Sequence, residues 1–334
     1  MNQRIVLRSI FALGLGLLLS AGAQAQAFRT YLSGSGNDAN PCTLVAPCRL
    51  LPAAIAAVID GGEVWMLDSA NYNGGPVTVN KSVTILAIPG ALGSVVALGG
   101  YAINIATAGV KVTLRNLVIV PYVGGGGTSG ILMTAGASLT VDKCLIANLP
   151  SYGIYVSATG ASVLVIDSAM RSISGFGLYV ADGAHATVTR TTFSGSGTGV
   201  AAESNLGTAT IDITDSTMDG NGYGVFENSI NASAVVKVSV HNSQVVRNDY
   251  GLMAQSGAGA PVTLLASNNI ISNNGVAGLM ANKSGAKVWA SGNTVSDNAI
   301  GLYNLSGLFE SAGDNAVRNN GTDATGTITV IAPM

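Results

Sequence analysis

The chain has 334 residues, of which 48% are hydrophobic, 10% charged, 5% aromatic and 44 are glycine. So little charge, against roughly 25% in an ordinary domain, excludes a solvated disordered chain. Lys+Arg 15 against Asp+Glu 17, with no basic run, excludes a nucleic-acid partner, and glycines without a three-residue period exclude collagen.

Residues 1–25 read as a secretory signal peptide. Arg4 and Arg8 supply the positive start, residues 11–19 a short apolar core, and Ala23-Gln24-Ala25 a small-x-small cleavage site. The alternative is an uncleaved anchor, which needs about 20 apolar residues. This core is shorter and no later run reaches that length, so no membrane partner is expected after signal removal. The expected product is exported, periplasmic or extracellular. Losing Arg4 and Arg8 takes Lys+Arg from 15 to 13 against 17 acids, a net charge of −4.

Cys42 and Cys48 follow Pro41 and Pro47 in one short loop. In an exported chain their spacing suits a loop-closing disulfide. A metal site or redox pair lacks support. The only histidines, His185 and His241, are far away in sequence, and the spacing is not Cys-x-x-Cys. Cys144, in an apolar stretch, reads as a buried small hydrophobe. Residues 50–59 are the one good helix candidate. Gly61-Gly62 stops it just before a predicted first strand at 63–67, where it would cap an exposed sheet edge.

From there the chain repeats. Glycine followed by an aliphatic residue recurs at Gly130, Gly153, Gly177, Gly199, Gly224, Gly251, Gly278 and Gly301, at intervals of 23, 24, 22, 25, 27, 27 and 23. Such self-similarity means a solenoid. Each unit also carries an alternating apolar pair and a third apolar residue five positions on, as in Leu139, Val141, Ile146 and in Val163, Val165, Met170. Alternation marks a strand with one buried face. A gap of five is odd, so one residue must turn a corner. Ser168, Thr191, Ser216, Ser243, Asn269, Asn293 and Asn315 occupy that corner and can stack as a side-chain ladder. Three strands per 22 to 27 residues make one coil of a parallel β-helix of roughly ten coils, with a predicted strand at 327–331 closing the far end less completely. The division expected is 1–25 signal, 26–62 cap with the Cys loop and helix, and 63–334 parallel β-helix.

The opening Thr30-Tyr31-Leu32-Ser33-Gly34-Ser35-Gly36-Asn37-Asp38-Ala39-Asn40-Pro41-Cys42, the Pro47-Cys48-Arg49 turn, the Ala-rich helix and Gly61-Gly62-Glu63-Val64 resemble the entry segment of secreted bacterial right-handed parallel β-helix proteins. The Gly-aliphatic and Ser/Asn columns resemble repeats of the same pectate-lyase-like superfamily, which includes polygalacturonases and many surface proteins. The resemblance is specific for fold and weak for activity. It implies that a polysaccharide lies along an outer face of the coil.

If the residue after each glycine points in, the next points out. Those positions hold Leu132, Tyr155, Tyr179, Ala201, Phe226, Met253, Met280 and Tyr303. Tyr155, Tyr179, Phe226 and Tyr303 are thus the candidate carbohydrate-binding residues, since aromatic surface packs on sugar rings. The bland alternatives are a loop covering the stripe or two rods pairing through it. Asp182, Glu203 and Glu227 end strands of consecutive coils. They are either a paired-acid catalytic group or solvated loop acids. A column of Lys143, Asp167, Arg190 and Asp215 alternates in sign and reads as structural ion pairing. The polygalacturonase patterns Asn-Thr-Asp, Asp-Asp, Gly-His-Gly and Arg-x-Lys are absent. No Lys or Arg lies beside the three acids, as a pectate lyase would need. No cofactor or metal is expected, calcium entering only on the lyase reading. The first functional expectation is therefore a non-catalytic exported scaffold contacting carbohydrate or cell-surface partners. The alternatives are a lyase or hydrolase acting on an acidic polysaccharide, and a self-associating rod.

Overall fold

The computed structural model describes residues 27–257 and 259–332. The signal read at 1–25 lies outside the described residues.

Short alternating segments become strands because one face can be buried only if each segment pairs with its equivalent in the next coil. The strands assemble into three parallel sheets: sheet I with thirteen strands, sheets II and III with eleven each. One coil shows the path. Phe176–Ala181 lies in sheet II, His185–Thr189 in sheet I and Thr192–Ser194 in sheet III, and the chain re-enters sheet II at Thr198–Ser204. Eleven coils at about 4.8 Å each make a rod of roughly 50 Å.

The apolar columns face inward in one register. Val112, Leu139, Val163, Ala186, Ile211, Val238, Leu264 and Val288 are successive partners in sheet I, and none is more than 3% exposed. Burying one such Val, Leu or Ile contributes about 1.5–3 kcal/mol, repeated down a single continuous core.

The glycine column has a steric cause. A Cβ on Gly251 would sit 2.4 Å from the Gly278 carbonyl oxygen, and the same clash recurs from Gly130 to Gly301. We expect Gly251→Ala to lower stability by about 1–3 kcal/mol, because the coils must part to admit a methyl group. Gly74→Ala, whose Cβ would meet nothing within 4 Å, should stay within about 0.5 kcal/mol of wild type. Equal urea midpoints for the two variants would refute this account.

Two ladders line the corners. At the corner from sheet I to sheet III, the backbone N–H of each residue donates to the next coil's side chain, from Cys144 through Ser168, Thr191, Ser216, Ser243, Asn269 and Asn293 to Asn315. This is the column read from the sequence. A second ladder, not foreseen, runs five residues later through Ser196, Asn221, Asn248, Asn274, Asn298 and Asn320. Just before the first ladder, Lys143, Asp167, Arg190 and Asp215 hold φ between 46° and 53°. Of that charged column Arg190 and Asp167 form an ion pair at 2.7 Å. It is largely exposed and contributes little.

The helix α1, Leu51–Ala57, buries Leu51, Ala54 and Ile55. It ends earlier than 59 because Val58 already has extended backbone and opens the strand Val58–Met66, which pairs with Ala27–Leu32. That sheet I edge strand was not anticipated. At the far end Ile328–Val330 is the last strand of sheet I. Cys42 and Cys48 are disulfide-bonded with Cα atoms 4.6 Å apart. Cys144 is buried, and burial pushes its thiol up to about 12, which leaves it unreactive at neutral pH.

Candidate functional site: the outer face of sheet II

Side chains alternate across each sheet II strand, so the outward positions form rows along the rod. Leu132, Tyr155, Tyr179, Ala201, Phe226, Met253, Met280 and Tyr303 are consecutive register partners. All four candidate binding residues therefore stand in one row. A second aromatic row precedes the anchor glycines: Tyr152, Phe176, Thr198, Tyr223 and Tyr250. Sequence reasoning missed it, although its signal, an aromatic residue directly before Gly in four coils, is visible.

The two rows fuse into aromatic clusters. Tyr155 and Tyr179 stack with ring centroids 5.1 Å apart and planes 5° apart, and Tyr152 and Phe176 stack at 5.5 Å and 12°. Tyr223 and Tyr250 stack at 4.9 Å and 7°. The coil carrying Thr198 and Ala201 separates the clusters with small residues. Packing of ring on ring leaves Met253 and Met280 each only 5% exposed, beside half-buried Tyr223, Phe226, Tyr250 and Tyr303.

A third outward row is polar: Glu203, Asn228, Gln255 and Asn282. Glu203 Oε2 accepts from the Tyr179 hydroxyl (2.7 Å) and Oε1 from Asn228 Nδ2 (3.1 Å). Asn282 Nδ2 donates to Gln255 Oε1 (2.9 Å). Burial, reinforced by the bond to Glu203, raises the Tyr179 hydroxyl pKa well above the ordinary phenol range. Burial likewise raises those of Tyr152 and Tyr223. Each therefore stays a neutral donor.

The three acids stand in different environments. Glu227 is not a strand-end loop acid but points into the coil, level with Ala202 and Ala254, and is 0% exposed. Neither of its oxygens has a hydrogen-bond partner among the described residues, and burial raises its pKa well above the usual carboxyl range. Asp182 is a turn residue at φ 48° whose Oδ1 accepts the backbone N–H groups of Asn205 (2.9 Å) and Leu206 (3.1 Å). Of the three acids only Glu203 belongs to the outward polar row. Paired-acid hydrolysis needs two carboxyl groups flanking one bond; Glu227 points away from this face, and Asp182 holds backbone N–H groups of the next coil. Among the described residues no group of three His, Cys, Asp or Glu side chains could hold a metal ion. His185 bonds Thr210 across sheet I (2.6 Å), away from this face. A groove of about 430 Å³, lined by Thr263, Lys287 and Leu308, has no aromatic wall.

Residues 81–233 match the family described as the right-handed β-helix region. The fold is a right-handed parallel β-helix. No curated protein sequence matches it. Among solved structures the β-helix is similar to the complex of XylC with xylose, with a TM-score of 0.60 and 7% identity over 83% of this chain and 69% of that one. It is also similar to the enzymatically active domain of bacteriophage CBA120 tailspike protein 2 (TM-score 0.56, 14% identity, 83% of this chain and 48% of that one). A third similar structure is the GH136 lacto-N-biosidase from Eubacterium ramulus (TM-score 0.50, 12% identity, 91% and 68%). At these identities the likeness is one of fold. Among the described residues of this β-helix no helix is long and apolar enough to cross a membrane.

Proposed function

We propose that the protein is an exported, non-catalytic β-helix that contacts carbohydrate with the outer face of sheet II. Residues 1–25 would be removed, and 26–62 would cap a solenoid of 63–334. One observation carries this reading: two aromatic rows and one polar row run in register along the same face. Apolar sugar faces pack on aromatic surface, while the carboxylate and amides of the polar row exchange hydrogen bonds with hydroxyls. Structural neighbours named for xylose and for a lacto-N-biosidase support the same ligand class. Against catalysis stand the inward Glu227 and the backbone-tied Asp182.

Affinity electrophoresis through gels containing soluble polysaccharides tests this. Wild type should be retarded, and Tyr155→Ser with Tyr179→Ser should bind about tenfold more weakly. Losing two contacts of about 0.5–1.5 kcal/mol each gives that factor. Circular dichroism would verify that the variant keeps its β-structure. No reducing ends should appear. Release of oligosaccharides, abolished in Glu203→Gln, would replace this reading with an enzyme. A concentration-dependent dimer in sedimentation, lost in the double Tyr variant with no glycan retardation, would replace it with a self-associating rod.

A further inference from the structure

We propose that the glycan taken by this face is uncharged: a neutral polysaccharide rather than a uronate, sialate or sulfated polymer. This rests on the carbohydrate-binding reading and narrows it. The eleven strands of sheet II, from Val77–Val79 to Thr322–Thr325, contain no Lys, Arg or His. Strand bases lie on the other two sheets, as in Lys111–Arg115 and Ala286–Ser291 of sheet I and Ala169–Arg171 of sheet III. Arg247, in the turn leading to Tyr250, is committed to Asp219. The turns entering sheet II also carry Asp249 and Asp297. Lys283, just past Asn282, is three coils from Glu203, about 14 Å at the usual strand spacing.

Sites for carboxylated or sulfated sugars are built on Arg or Lys, which pair with the anion and offset the loss of its hydration. This face instead presents Glu203, midway between the two aromatic clusters at the Thr198–Ala201 coil. An ionised carboxylate has about four acceptor positions. Tyr179 and Asn228 fill two, leaving the remainder for hydroxyl donors. A sugar hydroxyl satisfies them; a sugar carboxylate has no proton to give and is repelled at close range.

Three polymer pairs with matched backbones separate the cases: methyl-esterified and de-esterified pectin, hydroxyethylcellulose and carboxymethylcellulose, dextran and carboxymethyldextran. For any backbone that retards the protein, the neutral member should bind at least about tenfold more tightly in 20 mM salt. The gap should shrink in 0.5 M NaCl, where charges beyond about 4 Å are screened. Glu203→Gln should raise affinity for the carboxylated member toward that of the neutral one, a change that a purely structural Glu203 would not produce. Equal or tighter binding of the carboxylated members overturns this proposal and leaves carbohydrate binding standing. Retardation by none of the six overturns both.

Discussion

Asn248→Ala should cost about 3–6 kcal/mol and lower the urea midpoint more than any substitution on the outer faces. Asn248 Oδ1 accepts the backbone N–H and the side-chain amide of Asn221, each at 3.0 Å. Its Nδ2 donates to the Met218 carbonyl and to Asn274 Oδ1, each at 3.1 Å. Alanine removes four bonds at a residue 2% exposed. The Asn221 N–H, one Asn221 amide hydrogen and the Met218 carbonyl then lose these partners where water does not reach, each costing about 1–2 kcal/mol. Position in the ladder decides the magnitude. Asn320 makes equivalent bonds to Asn298 but stands half-exposed in the last coil, beside Asp323. There water can replace the lost groups, so Asn320→Ala should cost about 1 kcal/mol. Similar losses at the two positions would show that the ladder does not act through burial.

The same ladder marks the limit of what the sequence discloses. Features that repeat once per coil and have one dominant physical cause were legible: the glycines at the coil-to-coil contact, the inward apolar pairs, and the first Ser/Asn corner. Parity then put Tyr155, Tyr179, Phe226 and Tyr303 correctly on one outer row. The second ladder went unread because its polar residues, five positions beyond the first, resemble ordinary turn residues until a corner is known to face inward there. Positive φ at Lys143 and Arg190 is equally invisible to local propensity. Tertiary packing imposes a left-handed corner on residues that do not favour it. The strand Ala27–Leu32 stands before α1 and has no preceding repeat to align with.

The misplaced acid shows how one residue of register matters. Counted from the anchor glycines Gly177, Gly199 and Gly224, Asp182, Glu203 and Glu227 lie at offsets of five, four and three. Treating them as equivalent strand-end acids overlooked those offsets. Within the strand beyond the glycine an even offset faces out and an odd one in, so Glu203 reaches the surface beside Tyr179 while Glu227 enters the core. The offset is present in the sequence. Only the pairing of Glu203 with Asn228, rather than with Glu227, makes it decisive.

Glu227→Ala should therefore stabilise the protein at neutral pH and flatten its pH dependence. Burial without a partner holds the Glu227 carboxyl protonated, with its pKa well above 4.5 in the folded chain. Below the ordinary carboxyl pKa both folded and unfolded chains carry that proton, and Glu227 adds no pH-dependent term. Above it the unfolded chain ionises and the folded one does not. Wild-type stability should then fall by about 1.4 kcal/mol per pH unit until the raised pKa is reached. Alanine already occupies the same inward row at 202, 254 and 281, all 0% exposed, so the backbone accepts it. Near pH 4.5 the variant should be the less stable protein, since it loses the packing of the side-chain methylenes. By pH 8 it should be the more stable, and the urea midpoints of the two proteins should cross between. Curves that stay parallel would mean that the carboxylate is ionised and paired inside the coil, contrary to the isolated acid described here. Glu227→Gln separates charge from polarity: it should remove the pH slope while leaving an unpartnered amide in the core, so its stability at pH 8 should fall short of the alanine variant.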